Sequence, residues 1–307
     1  MNRVICKILF FMNCAFVLII SVNSQEVTAV KKDENLNIVK LDVETKPLDT
    51  PGYQLMKGTA SYQGKSFPVA FKVFVQKEYF TTKEKLPAIV ALHNIANDCR
   101  GTDGNPIMHS EAFGALMSSD IGLDSRHAGE WPAVRFNPSK EAKFIGILPQ
   151  CAKDYLFEQM PMCGVVIEMI NWVEKNYRVD PDRCYLTGYS YGGMCTWAVA
   201  MAYPERFAAI VPLSGRLPAT PELAPEKLKD LGVWCSVGEN DGEFKAGCVR
   251  MNDLLAAAKH PNFHFAIIKG GSHFCFQSIY GDAEFWKWLL AQKRKPQQIR
   301  TPQILTK

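Results

Sequence analysis

The sequence predicts an α/β fold: a mostly parallel central sheet flanked by helices, with an N-terminal antiparallel strand extension. Three observations predict it. Short continuous apolar runs recur at wide intervals, the habit of strands buried on both faces. Helical patterns lie between those runs, as right-handed βαβ units require. The 307 residues are 47% hydrophobic and 21% charged, ordinary globular usage that excludes a disordered or collagen-like chain. The net charge is +4, and Arg3 and Lys7 supply half of it from a leading segment with no acid. The nearly neutral remainder argues against a nucleic-acid partner.

Taken in order, residues 1–24 read as a signal peptide. Arg3 and Lys7 are followed by an apolar run from Ile8 to Ile20, interrupted by Asn13, and then by Val22-Asn23-Ser24 before a cleavage point at Gln25. A run of about 13 residues is too short to span a bilayer. The expectation is an exported chain, secreted or periplasmic, with no stable membrane span once the signal is removed.

Residues 25–50 are a polar extension expected to lie over the surface. Residues 51–296 read as one domain, and 297–307 as a tail. Ser66–Val75 alternates β-branched and aromatic residues, a strand pattern. Buried strands are expected at Ala88–Leu92, Phe144–Leu148, Cys184–Thr187, Ala208–Val211, Val233–Val237 and Phe263–Ile268. Met162, Val166, Met169, Ile170, Val173 and Tyr177 form an amphipathic stripe. Asp180-Pro181-Asp182 reads as a break after it. Tyr191–Tyr203 is a small-residue helix stopped by Pro204, and Asp282–Arg294 is the last helix, with basic residues at its C-terminal end. Asp103–Lys143 is a long connection, with a helix expected near Ser110–Ser118, of the kind usually found as a functional loop or cap.

Ten cysteines are present, and Cys6 and Cys14 leave with the signal. No pair has C-x-x-C spacing, which excludes a zinc ribbon or a thioredoxin-type motif. Cys184, Cys195 and Cys235 fall in apolar patterns and are expected as buried free thiols. Cys99, Cys151, Cys248 and Cys275 read as loop residues, where any disulfides would be sought first.

The chemistry centres on Gly188-Tyr189-Ser190-Tyr191-Gly192, a G-x-S-x-G pentapeptide. Such a match arises by chance in roughly one chain of this length in ten, so its setting carries the weight. A strand precedes it and a helix follows, the context of a serine raised on a strained elbow. The glycines have a physical task there, because side chains would collide with neighbouring backbone. Tyr191 N–H, at the helix N-terminus, is placed to donate to a developing oxyanion.

A serine hydroxyl needs a general base, and that base needs an orienting acid. Asp241 follows strand Val233–Val237, and His273 follows strand Phe263–Ile268 within Gly270-Gly271-Ser272-His273. The order Ser, Asp, His, with each residue just past its own strand, is a hydrolase arrangement. Glu239 and Asp282 compete with Asp241 as the acid. His260 and His264 read as surface or strand residues, His109 and His127 as loop residues, and His93 as a brace that caps a strand by hydrogen bonding.

These residues resemble the α/β-hydrolase superfamily. The stretches Arg183–Met194, Thr196-Trp197 and Tyr203–Ala209 resemble secreted esterases of the polyhydroxybutyrate-depolymerase and feruloyl-esterase type, a group that takes in chains labelled peptidases and phospholipase/carboxylesterases. Leu148-Pro149-Gln150-Cys151 and Phe285-Trp286-Lys287-Trp288-Leu289 fit the same group, so the likeness runs from about Leu86 to Arg294. The resemblance implies an α/β-hydrolase fold and acyl transfer through Ser190, His273 and Asp241, with no metal or organic cofactor. It implies a second oxyanion donor after the first core parallel strand. There the family has His-Gly and this chain has His93-Asn94-Ile95, which transfers that role to Ile95 N–H. Asn tolerates left-handed backbone geometry, so the turn survives the substitution.

The substrate expected is a small-molecule or polysaccharide-linked ester, with Asn94, Tyr189 and Trp131 as candidate contacts. Arg126 and Arg135 are further candidates in the long connection. Two other readings share these residues: a serine peptidase with the same triad, and a non-catalytic binding protein on a hydrolase scaffold.

Overall fold

In the computed structural model, residues 38–94, 100–102, 142–274 and 276–295 are described, and of Gln277 only the backbone. The strands are β1 (Lys40–Val43), β2 (Gly52–Tyr62), β3 (Lys65–Val75), β4 (Leu86–Leu92), β5 (Ile145–Gln150), β6 (Val179–Tyr189), β7 (Ala209–Leu213), β8 (Gly232–Gly238) and β9 (Phe263–Ile268). The helices are α1 (Lys77–Thr81), α2 (Met162–Asn176), α3 (Tyr191–Ala202), α4 (Ala224–Lys227), α5 (Gly242–Ala257), α6 (Phe276–Tyr280) and α7 (Ala283–Ala291).

One sheet contains the nine strands of the described residues in the order β1-β2-β3-β5-β4-β6-β7-β8-β9. Pairing is antiparallel from β1 through β3 to β5, then parallel from β5 to β9. The sheet is mixed, mostly parallel in its core, with the antiparallel extension at the N-terminal end.

Alternation along the strands divides the core into two layers. Cys184 and Leu186 of β6 face a cluster with Val166, Met169 and Ile170 of α2, Trp197 and Val199 of α3, and Met251 and Leu255 of α5. Tyr185 and Tyr189 face the opposite cluster, with Phe276, Ile279, Phe285, Trp286 and Leu289 from α6 and α7. Helices therefore cover both faces, which is why the central strands are apolar throughout rather than alternating.

Several details depart from the sequence expectations. Residues 25–50 are not wholly a surface segment, since β1 lies within them and pairs with β2. Asp180-Pro181-Asp182 does not break the chain; β6 runs through it, and its register against β4 shifts between Leu86 and Ala88. An irregular pairing tolerates the N–H that proline lacks. Strand β9 is the sheet edge, so it is half-exposed rather than buried on both faces. Cys248 lies inside α5, not in a loop. Cys151 and Cys248 are buried and free, as are Cys163, Cys184, Cys195 and Cys235; Cys99 and Cys275 lie outside the described residues. The helix expected at Ser110–Ser118 and nearly all of the long connection also lie outside them.

Candidate active site

The carboxyl ends of the parallel strands meet at one rim, the usual ligand position in open α/β sheets. Ser190 follows β6 directly, with φ 59° and ψ −117°, a backbone conformation that L-residues rarely adopt and that marks stored strain. Two anchors hold it there: Ser190 N–H donates to Leu213 carbonyl at 3.0 Å, and Ser190 carbonyl accepts from Met194 N–H at 3.0 Å. A Cβ on Gly188 would overlap the Gly192 backbone, and one on Gly192 would overlap the Leu92 carbonyl. The pentapeptide glycines let β6, β4 and α3 close on one another around the serine.

Asp241 and His273 are brought together by two laced loops. Asn240 N–H donates to Gly271 carbonyl at 2.8 Å, Glu239 N–H to Ile268 carbonyl at 3.0 Å, and Gly270 N–H to the Glu239 carboxylate at 2.8 Å. Glu239 thus fastens the histidine loop. Asp282 caps α7, accepting from Glu284 N–H at 2.9 Å. The carboxylate that reaches the imidazole is Asp241: its Oδ1 lies 2.7 Å from His273 Nδ1, while His273 Nε2 lies 2.9 Å from Ser190 Oγ. An ionised carboxylate only accepts, so Nδ1 carries the proton and Nε2 offers its lone pair to the serine hydroxyl. Asp241 Oδ2 is buried and has no hydrogen-bond partner among the described residues. The imidazole is therefore the principal polar contact of this carboxylate.

Aromatic rings cage the histidine. Phe244 lies 4.2 Å and Tyr189 4.9 Å from its ring, with Phe274 at 6.2 Å. Tyr189, expected among the substrate contacts, is 2% exposed, and its ring also meets Phe274 and Phe276, a position that supports the imidazole. Phe274, by contrast, is 49% exposed beside His273. Arg216, ion-paired with Glu243, lies over the Phe244 ring.

Tyr191 opens α3, where first-turn N–H groups have no intrahelical acceptor. Across the cleft, β4 is followed by His93 and Asn94, both buried. Cys151 N–H donates to His93 Nε2 at 3.1 Å, which leaves the proton on Nδ1 to be donated to Asn94 carbonyl at 2.7 Å. Burial lowers the His93 pKa to about 4, the Arg100 charge acts the same way, and the bond to Asn94 opposes them. His93 is a neutral brace, as its place after the strand implied. Among described non-glycine residues, positive φ falls on Gln63, Ser190, Ser214 and Lys259 and not on Asn94, so the turn is entered without left-handed geometry there. Ile95 and Trp131 lie outside the described residues, as do Arg126, Arg135, His109 and His127. His264 stacks on Trp234 at 4.8 Å, and His260 bonds the Leu228 carbonyl.

Sequence reasoning missed Phe244 because α5 was not recognised. The signal was there: Phe244, Cys248, Met251 and Leu255 repeat at three or four residues. It also missed Glu158, whose partner Tyr191 is 33 residues away.

Residues 164–294 match the family described as "Putative esterase". Over 48 residues the chain is 38% identical to a poly(3-hydroxyalkanoate) depolymerase of Paucimonas lemoignei, a match spanning 16% of this chain and 12% of that relative. Among solved structures, a thermostable esterase is similar at TM-score 0.61 and 22% identity, over 78% of this chain and 63% of that one. A feruloyl esterase module from Clostridium thermocellum, complexed with sinapinate, is similar at TM-score 0.53 and 16% identity, over 84% and 99%. Likenesses at such identities establish the fold. The chain has the fold of these esterases, and its residues 164–294 match an esterase family model.

Proposed function

We propose that this protein is a serine carboxylic ester hydrolase acting through Ser190, His273 and Asp241. The observation that carries the reading is the continuous chain from Asp241 Oδ1 through His273 to Ser190 Oγ, at 2.7 and 2.9 Å, on a serine held at φ 59°. His273 Nε2 takes the hydroxyl proton as Ser190 Oγ attacks the ester carbonyl, and Asp241 stabilises the imidazolium. The oxyanion is received by Tyr191 N–H, with Ile95 N–H as the second donor. The alcohol leaves with the proton from His273, and water then attacks the acyl-enzyme by the same base.

The substrate class proposed is polysaccharide-linked or other extracellular esters. The signal-peptide pattern of the leading 24 residues supports it, and so does the fold shared with a feruloyl esterase module. Among the described residues no helix is long and apolar enough to cross a membrane.

A panel of p-nitrophenyl acyl esters, feruloyl esters and peptide amides tests the reading, run on wild type and Ser190→Ala. Ester turnover that vanishes in Ser190→Ala supports it. Cleavage of amides in preference to esters would make the protein a peptidase, and an inert wild type would favour a binding protein.

A further inference from the structure

A single segment after β5 touches both sides of the oxyanion cleft. The Tyr191 hydroxyl donates to Glu158 Oε2 at 2.7 Å and accepts from Phe157 N–H at 3.1 Å. The phenol's one proton and one of its lone pairs are thereby committed. Burial pushes its ionisation far above the usual tyrosine range, so it stays a neutral donor. Six residues earlier, Cys151 N–H holds His93 Nε2, and His93 holds the Asn94 carbonyl. Between them the buried Phe157 ring lies 4.9 Å from the His93 ring and is stacked 6.4 Å from that of Tyr191. The Cys195 thiol, one helical turn beyond Tyr191, also points at Glu158 Oε2, at 3.5 Å.

Tyr191 is thus tied at both ends of the residue. Its backbone follows the strained serine, and its side chain reaches down to a different loop. A helix N-terminus stabilises a developing charge only if its amides are already aimed at that charge, and a misplacement of about 1 Å can cost on the order of 10²-fold. Packing alone does not explain a phenol here, because phenylalanine would fill the same space without needing two polar partners. The hydroxyl's work is directional.

We propose that the segment Cys151–Glu158 is a brace for the oxyanion cleft, with Tyr191 and Glu158 as positioning residues that aim Tyr191 N–H and with His93 as their counterpart across the cleft. The inference rests on the reading of Tyr191 N–H as an oxyanion donor. The brace holds the backbone donor, so it acts on the tetrahedral state and not on ground-state binding. Removing it lowers kcat while KM stays nearly constant.

The test compares Tyr191→Phe, Glu158→Ala and Glu158→Gln with wild type, using p-nitrophenyl acetate as substrate and phenylboronic acid as a tetrahedral probe. Tyr191→Phe and Glu158→Ala are expected to lower kcat about tenfold and to weaken boronate inhibition by a similar factor. KM should remain nearly unchanged. Glu158→Gln keeps an acceptor for the phenol and should recover most of the loss. A role confined to stability would lower the melting temperature and leave the boronate constant and kcat unmoved, and that result overturns the proposal. So does a Glu158→Gln variant as impaired as Glu158→Ala. Full turnover in Ser190→Ala would instead overturn the active-site reading beneath it.

Discussion

Asp241 stands at the N-cap position of α5, yet its side chain makes no cap hydrogen bond and is turned 2.7 Å from His273 Nδ1. Aspartate at that position normally accepts from the first-turn amides. Here the capping contribution is forgone, and the carboxylate, buried and with its second oxygen unpartnered among the described residues, is given to the imidazole. Asp241→Asn keeps the shape but presents an amide that is able to donate to Nδ1, which favours the wrong tautomer. Turnover should fall by roughly 10³–10⁴ with the circular dichroism spectrum unchanged. A loss of less than about tenfold, small beside that range, would show that another group orients His273.

Asp282 does the opposite. Its carboxylate accepts from Glu284 N–H, and its carbonyl accepts from Trp286 N–H at 3.3 Å. Asp282→Ala should cost about 1 kcal/mol, read as a lower melting temperature, while kcat on a p-nitrophenyl ester is retained. A collapse of kcat at full stability would return Asp282 to the list of candidate acids.

The neutral His93 makes stability depend on pH. Its folded pKa is about 4, lowered chiefly by burial from 6.5. Between these values the unfolded chain takes up a proton that the folded one refuses, so stability falls as pH drops from 6.5 towards 4. The loss is on the order of 3 kcal/mol for this group. Protonation would also set Nε2–H against Cys151 N–H. In urea titrations, the stability advantage of wild type over His93→Gln should therefore shrink across that window and be constant above it. An advantage that does not vary with pH would mean that His93 is not held neutral.

The convergence of Ser190, His273 and Asp241 was legible because chemistry and topology gave the same signal. Ser190, Asp241 and His273 each follow a separate apolar run, and the flanking glycines only make sense where backbones nearly touch. Helix α2 was equally plain, since its apolar residues recur at helical spacing, and α3 was read from the small residues between the serine and Pro204. What was hidden depends on partners distant in the chain. Strand β1 is four residues of alternating, half-exposed side chains, and only pairing with β2 makes it a strand. Pro181 reads locally as a breaker, and the irregular register against β4 is what accommodates it. Phe263–Ile268 has the apolar content of a central strand, but the order of the sheet puts it at the edge, where Ile267 is 42% exposed. Glu158 carries no motif at all. It acquires a role only because the segment after β5 passes beneath the serine turn.

The central claim is that Ser190 Oγ forms a covalent bond with the acyl group. Acid-quenching the enzyme during turnover of a slowly deacylated p-nitrophenyl ester, followed by peptide mass spectrometry, tests it directly. The account predicts an acyl adduct on the peptide containing Ser190, formed with a burst of p-nitrophenol and absent in both Ser190→Ala and His273→Ala. Undiminished turnover in Ser190→Ala, with no adduct on the wild-type peptide, would contradict it.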